Sequence, residues 1–583
     1  MKNKIMTKGL AGLLAVTAVS MAFTSCKDDY LDLAPITSYP DTVIDELGGL
    51  EAATVGLCNA MYRGADYLGF NGANGEPWLL EFYGEALGNA NLTGLWGSYV
   101  NFGTLFVNGS YVTNSSAGYS EFMWVYCYNL IDDANQIIAG TKKYEPKSED
   151  EAAQVAYYQA IAYTMRAHAY IRLLQTYAPR WADSNNGSAY AVILRTEPTT
   201  PDNTDVDFST MNQVLGQIYE DLDEAIALFE EGYSDLSNEI WAPSVDVAKG
   251  LYARAAMLQN DYPMAMEKAL EAMANYDLMS ANEYRSGFVN ANSEYMWATA
   301  MDAKDLFWDT FGGWTAFNGY YTAAFGIGDS MDYTLYKNLS MTDCRKYLYL
   351  MPELCEIAPY TAAYFGITPN DFFTTTDGGG CVDDIDTSVI IEGPDYIMDW
   401  FCYYYGAGKL AEYGYESALV DYSGVADVWG LPTCKFGFGM KFWGTGDYCS
   451  SNFPFMRASE MGYIVAEAAY MMGDETTAQQ MMNYLNQDVR DPYYDCTLTG
   501  DDLLDHIKAY REIELWDEGF NWFDLKRWGD PAIRVAWEQG NPDSGNWGPL
   551  AKSFAVDDFN GWRWAVPESE YIYNKGADRS KVM

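Results

Sequence analysis

The chain has 583 residues, 49% of them hydrophobic and 16% aromatic, with 48 Tyr and 18 Trp. Its length allows one large domain or two, and the aromatic excess favours residues that work half-buried, one face apolar and one tip polar. With 35 Lys and Arg against 82 Asp and Glu, the net charge of −47 repels polyanions, so nucleic acid and heavily sulfated or uronate-rich glycans are poor partners and neutral ligands fit best.

Lys2, Lys4 and Lys8 precede an uncharged apolar run from Gly9 to Phe23, and the small residues Thr24 and Ser25 lead into Cys26. The pattern predicts a secretory signal peptide over residues 1–25, too short to span a bilayer. A Cys directly after small residues predicts acylation of the Cys26 thiol, and two acyl chains give a stable anchor. No other segment reaches 18 consecutive apolar residues, so lipid is the expected membrane attachment. The chain has ten Cys. Setting Cys26 aside leaves an odd number, with no C-x-x-C pair and no metal-like spacing. Buried small residues are expected there, not a disulfide framework, with one or two surface bridges left open.

Apolar residues recur at i, i+3 and i+4 from Glu121 to Ile138, Glu151 to Tyr177, Thr210 to Glu230 and Ser244 to Gln259, predicting four amphipathic helices. In the third, Met211, Val214, Leu215, Ile218, Leu222, Ile226 and Phe229 form the stripe, opposite Asp223 and Glu224. Ser209 is its expected N-cap and Gly232 its stop. Asp246 to Asp277 reads as a tetratricopeptide-like helix pair turning at Asn260-Asp261-Tyr262, with Ala248, Leu251 and Ala255 before the turn and Ala265, Ala269 and Leu270 after it. Ala466 to Leu485 repeats the plan around Gly473-Asp474. The repeats are few and scattered, so helix pairs inside a larger fold are expected and not a solenoid. From Tyr284 to Phe455 periodicity fails, glycines cluster and aromatics are dense. Long structured loops with short strands, such as Glu294 to Met301, are expected, and such loops are usually functional. Helices resume at Arg457.

Several segments then carry a resemblance in chain order. Cys26 is followed by Tyr30-Leu31-Asp32 and Pro35. Met165-Arg166-Ala167 runs through Tyr170, Leu173-Leu174 and Tyr177 to Pro179. The Asp246–Asp277 pair fits A-R…L…D-Y-x-x-A. Arg457-Ala458-Ser459-Glu460 leads to Ala466-Glu467-Ala468, and Leu485-Asn486 with Val489-Arg490 fits L-N-x-V-R with one inserted residue. Most specific is Arg511-Glu512-Ile513-Glu514-Leu515, then Glu518-Gly519 and Trp522-Phe523-Asp524-Leu525-Lys526-Arg527-Trp528-Gly529; Pro567, Glu568 and Glu570 close the series. Together they resemble the SusD/RagB family of Bacteroidetes over essentially the whole chain.

The resemblance implies a mainly α, SusD-like fold: one domain over 26–583, its helix-pair scaffold over about 40–280 and 455–530, supporting a loop-rich, aromatic-rich ligand region over about 284–455. It also implies a lipid-anchored outer-membrane protein facing the cell exterior, which captures oligo- or polysaccharide and passes it to a TonB-dependent, SusC-like transporter. Asp28, Asp29 and Asp32 after Cys26 resemble the signal that sends such lipoproteins to the surface. Independently of the family, the alternating charges Arg511, Glu512, Glu514, Asp524, Lys526 and Arg527 among apolar neighbours read as a paired structural network, not as catalytic groups.

Sugar recognition needs flat apolar faces rimmed by short polar groups. Two clusters supply them: Trp78, Tyr83, Asn89, Asn91, Trp96, Tyr99 and Asn101, and then Trp308, Trp314, Asn318, Tyr320 and Tyr321. Trp96, Trp308, Trp314 and Tyr320 are the expected stacking residues, with Asn101 and Asn318 as polar partners, while Trp297 in a strand-like run is assigned to the core. Three stacked rings at about 2.5 kcal/mol each, less at least ~4 kcal/mol of association cost, leave roughly millimolar binding of short glycans. The alternatives are a surface glycoside hydrolase, which needs two carboxyls about 5–10 Å apart, and a lid for peptide or another nutrient. His168 and His506 both lie in amphipathic helical segments, so no catalytic residue is assigned. No cofactor is expected, and Asp383, Asp384 and Asp386 read as a solvated acidic loop in preference to a structural calcium site.

Overall fold

The computed structural model describes residues 44–63, 75–85, 88–92, 112–285, 288, 290–300, 330–349, 441–442 and 452–582, apart from positions 341, 537, 539, 540, 542, 548–550 and 556. Its longer helices are α1 (Leu47–Arg63), α2 (Phe122–Lys143), α3 (Glu149–Tyr177), α4 (Met211–Glu231), α5 (Val245–Leu258), α6 (Tyr262–Met273), α7 (Ala458–Met471), α8 (Glu475–Asn486), α9 (Gly500–Glu514) and α10 (Asn521–Trp528). The four helices expected from periodicity correspond to α2–α5, within three residues at every end but the C-terminus of α2, which runs on to Lys143.

Local chemistry explains the boundaries. Ser148 accepts from Glu151 N at the start of α3, and Glu149, Asp150 and Glu151 complement the helix dipole there. The cap of α4 is Thr210, one residue later than expected, because Gln213 three residues on completes a reciprocal capping box with it. Gly232 does stop α4. A Cβ there would lie 2.7 Å from the backbone N of Tyr157, so close approach to α3 requires glycine. The α4 stripe is buried at Met211, Val214, Leu215, Ile218 and Leu222.

The α5–α6 and α7–α8 pairs use one turn design. A residue of positive φ (Asn260, 57°; Gly473, 82°) precedes an Asp whose side chain caps the second helix. In both turns the Asp N–H donates to the carbonyl five residues earlier. The pairs meet where α6 packs on α7, and the small residues Ala265, Ala269 and Ala272 are buried there. Helix α3 packs between α2 and α4. Two short antiparallel ladders complete the frame. Strand β2 (Tyr295–Ala298) lies inside the expected Glu294–Met301 run and pairs with β4 (Pro454–Arg457). The other joins β1 (Asn91–Leu92) to β3 (Ser330–Met331). A contiguous apolar core reaches from Leu50 to Val566 and includes Trp297, fully buried as assigned.

The charged residues of the motifs pair with one another inside this core. Arg166 grips Asp221 (2.8 and 2.5 Å) and Asn135 (2.7 Å), tying α3 to α4 and α2. Arg254 forms two 2.7 Å bonds to Glu460, locking one helix pair to the other. Arg511 donates to Asp524 (2.7 Å), and Arg527 to Asp524 (2.8 Å) and to Glu467. Glu514 is surrounded by Arg457 (2.7 Å), Arg490 (3.0 Å) and Arg345 (2.7 Å). Around it Arg345, Arg457, Arg490 and Lys441 meet Asp343, Glu294, Glu514 and Glu518, so the cluster is balanced in charge. A buried ion pair holds only when it is this completely hydrogen-bonded.

Candidate functional site

The motif charges form scaffold, so a ligand site is to be found elsewhere, and the two aromatic stretches are traced from their flanks. The chain approaches the first through the short helix Gly75–Leu80, a π-helical turn Glu81–Glu85 and β1; β3 follows the second. In the ladder Asn91 faces Met331 and Leu92 faces Ser330. The chain therefore leaves for stretch 93–111 and returns from stretch 301–329 at neighbouring strands, about 4.8 Å apart.

Side chains from the C-terminal region hold this root. Asn521, at the start of α10, accepts from the backbone N–H of Asn89 (2.7 Å) and Ala90 (3.1 Å) and donates to Glu512 (2.9 Å). Arg534 donates to the Gly88 carbonyl (2.9 Å). Asn546 donates to the Met331 carbonyl (2.9 Å) and accepts from Tyr333 N (3.0 Å). Asp332 links the strands, its N–H donating to the Ala90 carbonyl (2.8 Å) while its carboxylate accepts from the Trp547 indole (2.5 Å). Just before β1, the fully buried Glu85 accepts from Gly519 N (2.7 Å) and Phe520 N (3.0 Å). Burial pushes its carboxyl up to about 8, against the pull of those amides and of Lys441.

Trp96, Asn101, Trp308, Trp314, Asn318, Tyr320 and Cys26 lie outside the described residues, as do Tyr99, Tyr321, Asp383, Asp384 and Asp386. One member of the first cluster is corrected. Tyr83 is fully buried, its ring 4.7 Å from Trp564 and its hydroxyl accepting from Met123 N (3.3 Å), so it packs the core. Asn89 serves the root through Asn521. Asn521 and Asn546 were missed by sequence reasoning, because an isolated Asn beside a helix start or in a loop carries no signal of a partner more than 200 residues away.

Both histidines are packed. His168 sits between Glu76 (2.8 Å) and Trp297, and His506 bonds the Tyr494 hydroxyl (2.8 Å). Cys58, Cys127, Cys344 and Cys496 are all buried. Among the described residues there is no cluster of three or more His, Cys, Asp or Glu suited to a metal, and no helix long and apolar enough to cross a membrane. A cleft between Arg254, Glu460, Arg511, Phe520 and Asp524 has a volume of about 30 Å³, too small for a sugar ring.

Comparison with known proteins gives two family models. One described as the SusD family matches residues 440–575, and one described as starch-binding associating with outer membrane matches residues 93–256. No curated protein sequence matches significantly. Among solved structures, a SusD-like carbohydrate binding protein from Bacteroides vulgatus aligns with TM-score 0.65 and 18% identity over 91% of this chain and 97% of that one. A SusD superfamily protein from Bacteroides thetaiotaomicron aligns with TM-score 0.62 and 16% identity over 91% and 99%. A SusD-like protein from Bacteroides fragilis gives TM-score 0.62 and 14% identity over 93% and 98%.

Proposed function

Since this chain belongs to the SusD/RagB family, we propose that it captures neutral glycans at the outer-membrane surface and releases them to a partner TonB-dependent transporter. The observation that supports the reading is the β1–β3 ladder, which pairs the residues just before stretch 93–111 with those just after stretch 301–329. The stretches also have the right chemistry. No Asp, Glu, Lys, Arg or His occurs from Thr93 to Tyr111 or from Thr310 to Gly328, in a chain with 117 Asp, Glu, Lys and Arg residues (82 plus 35). Trp96 and Asn101 fall in the first uncharged run, and Trp314, Asn318 and Tyr320 in the second. Uncharged aromatic and amide side chains bind sugar rings and hydroxyls without a desolvated charge. The carbohydrate-binding description of a fold relative and the starch-binding description of a family model agree with this chemistry.

Millimolar affinity for short glycans suits a protein that must hand its ligand on, and capture without cleavage is the reading adopted. A lipid on Cys26 would hold the whole of 26–583, one domain in this reading, against the membrane.

The test is affinity electrophoresis of the soluble form, starting at Lys27, in gels containing soluble starch, β-glucan, galactomannan or, as the acidic comparison, homogalacturonan. Saturable retardation by a neutral polysaccharide, with its chain length unchanged after long incubation, supports capture. Shortened chains would make the protein a hydrolase, and no retardation in any gel would reject glycan capture in favour of another nutrient.

A further inference from the structure

We infer that the cleft at the junction of five helices is a binding site for one small monovalent anion of halide size, held between Arg254 and Arg511. Its walls come from Gln175 in α3, Arg254 in α5, Glu460 in α7, Arg511 in α9, and Phe520 and Asp524 around the start of α10. A ligand there touches both halves of the chain. The volume of about 30 Å³ suits a particle the size of a water molecule and leaves no room for phosphate or sulfate.

The pairs around the cleft orient its donors. Arg254 directs Nε and Nη2 at Glu460 (2.7 Å each), and Arg511 directs the same two nitrogens at Asp524 (2.7 and 3.4 Å). That grip takes one edge of each guanidinium and leaves Nη1 on the other side. Neither Nη1 has a hydrogen-bond partner among the described residues. Arg254 and Arg511 are only 5% and 4% exposed, and a buried charged donor left unpaired is costly. Both guanidinium carbons lie over the Phe520 ring, 5.4 and 5.3 Å from its centroid, so the two charges share one apolar wall. The ligand that fits accepts hydrogen bonds and donates none. Arginine offers donors only, and every oxygen of Glu460 and Asp524 already accepts from an arginine, so a water would find its own two hydrogens poorly served. Arg527 binds Asp524 (2.8 Å) and Glu467 (2.6 Å). Three arginines thus meet three carboxylates, and into a set already balanced a single charge is the least costly addition.

The experiment uses the soluble form, starting at Lys27, with bromide and chloride as probes. Crystals grown in sodium bromide should show one anomalous bromine peak in contact with both Nη1 groups. Chloride in place of gluconate, which is too large for the cleft, should raise the melting temperature at equal ionic strength. The gain should be roughly 1–2 °C between ten and a hundred times the chloride Kd. Arg254→Lys and Arg511→Lys, which keep the charge and lose Nη1, should abolish the gain, while Val214→Ala in the α4 core keeps it. Ile464→Phe, which fills the cleft without touching a charge, should also abolish it and substitutes if the lysine variants fail to fold. The inference is overturned if the crystals show an ordered water only, or if the chloride gain is the same in wild type and every cleft variant. A bromine peak without any chloride gain in wild type is an adventitious ion only and overturns it too. Where no variant folds, the wild-type crystals and melting curves decide together.

Discussion

Glu514→Gln removes one negative charge from a buried cluster without changing its volume. In the native protein the Glu514 carboxylate accepts from Arg457 (2.7 Å), from Arg490 twice (3.0 and 3.2 Å) and from Arg345 (2.7 Å). The substitution leaves one cation of the balanced set unmatched and turns an NH₂ group toward guanidinium donors. Breaking a fully buried ion pair from one side costs about 3–5 kcal/mol. Unfolding a chain of this size gains an entropy of roughly 1.2 kcal/mol/K, so the melting temperature should fall by about 2.5–4 °C in calorimetry at pH 7. Lys143→Gln at the exposed Lys143–Asp45 pair (71% and 41% exposed) should cost under ~1 kcal/mol. The pH dependence adds a second check. Burial would raise the Glu514 carboxyl, but Arg490, Arg457 and Arg345 hold it well below the ordinary value of 4.5. Its stabilisation is thus complete above about pH 4.5 and is lost as pH falls through the lower native value, so the glutamine variant should show a shallower acid limb. A melting shift no larger than that of Lys143→Gln would refute the argument.

Glu85 works in the opposite sense. Its native value of about 8 lies above the ordinary 4.5, so stability is lost as pH rises between those values. Melting of Glu85→Gln measured from pH 5 to 9 should gain on wild type up to about pH 8 and then level off; parallel curves would count against a buried protonated carboxyl. Trp96→Ala, Trp308→Ala and Trp314→Ala should each weaken glycan retention by more than about 1 kcal/mol with melting unchanged, and titrations unaltered in all three would reject the site. Cys26→Ala should move the protein from membrane to soluble fractions on cell fractionation, and its persistence with membranes would contradict lipid anchoring.

What the sequence disclosed followed the range of each signal. The Met211–Leu222 stripe and the Asn260-Asp261 and Gly473-Asp474 turns were legible because helix periodicity and capping act within a few residues. Even there the expected cap, Ser209, sits one residue before the actual one, Thr210, since both hydroxyls suit the role and only Gln213 distinguishes them. That Arg511, Asp524 and Arg527 belong to a network was readable from interleaved charge. That Arg254 meets Glu460, 206 positions away, was not, because no local pattern encodes it. The β1–β3 ladder lay below detection, as two-residue strands have no periodicity. Tyr83 was misplaced into the ligand cluster because an aromatic near Gly and Asn looks alike whether it faces a sugar or Trp564.

The long reach of the buried pairs bears on how the molecule comes into being. Glu85 waits for amides 434 and 435 positions onward, and Glu294 for Arg490, 196 onward. A chain made from its N-terminus first carries Glu85 without those amides, and Glu294 without its two guanidinium partners, until the later stretches emerge. Helices α2 to α6 pack on one another from within the N-terminal half, but the core closes only with the last hundred residues, and contacts of such long range form slowly.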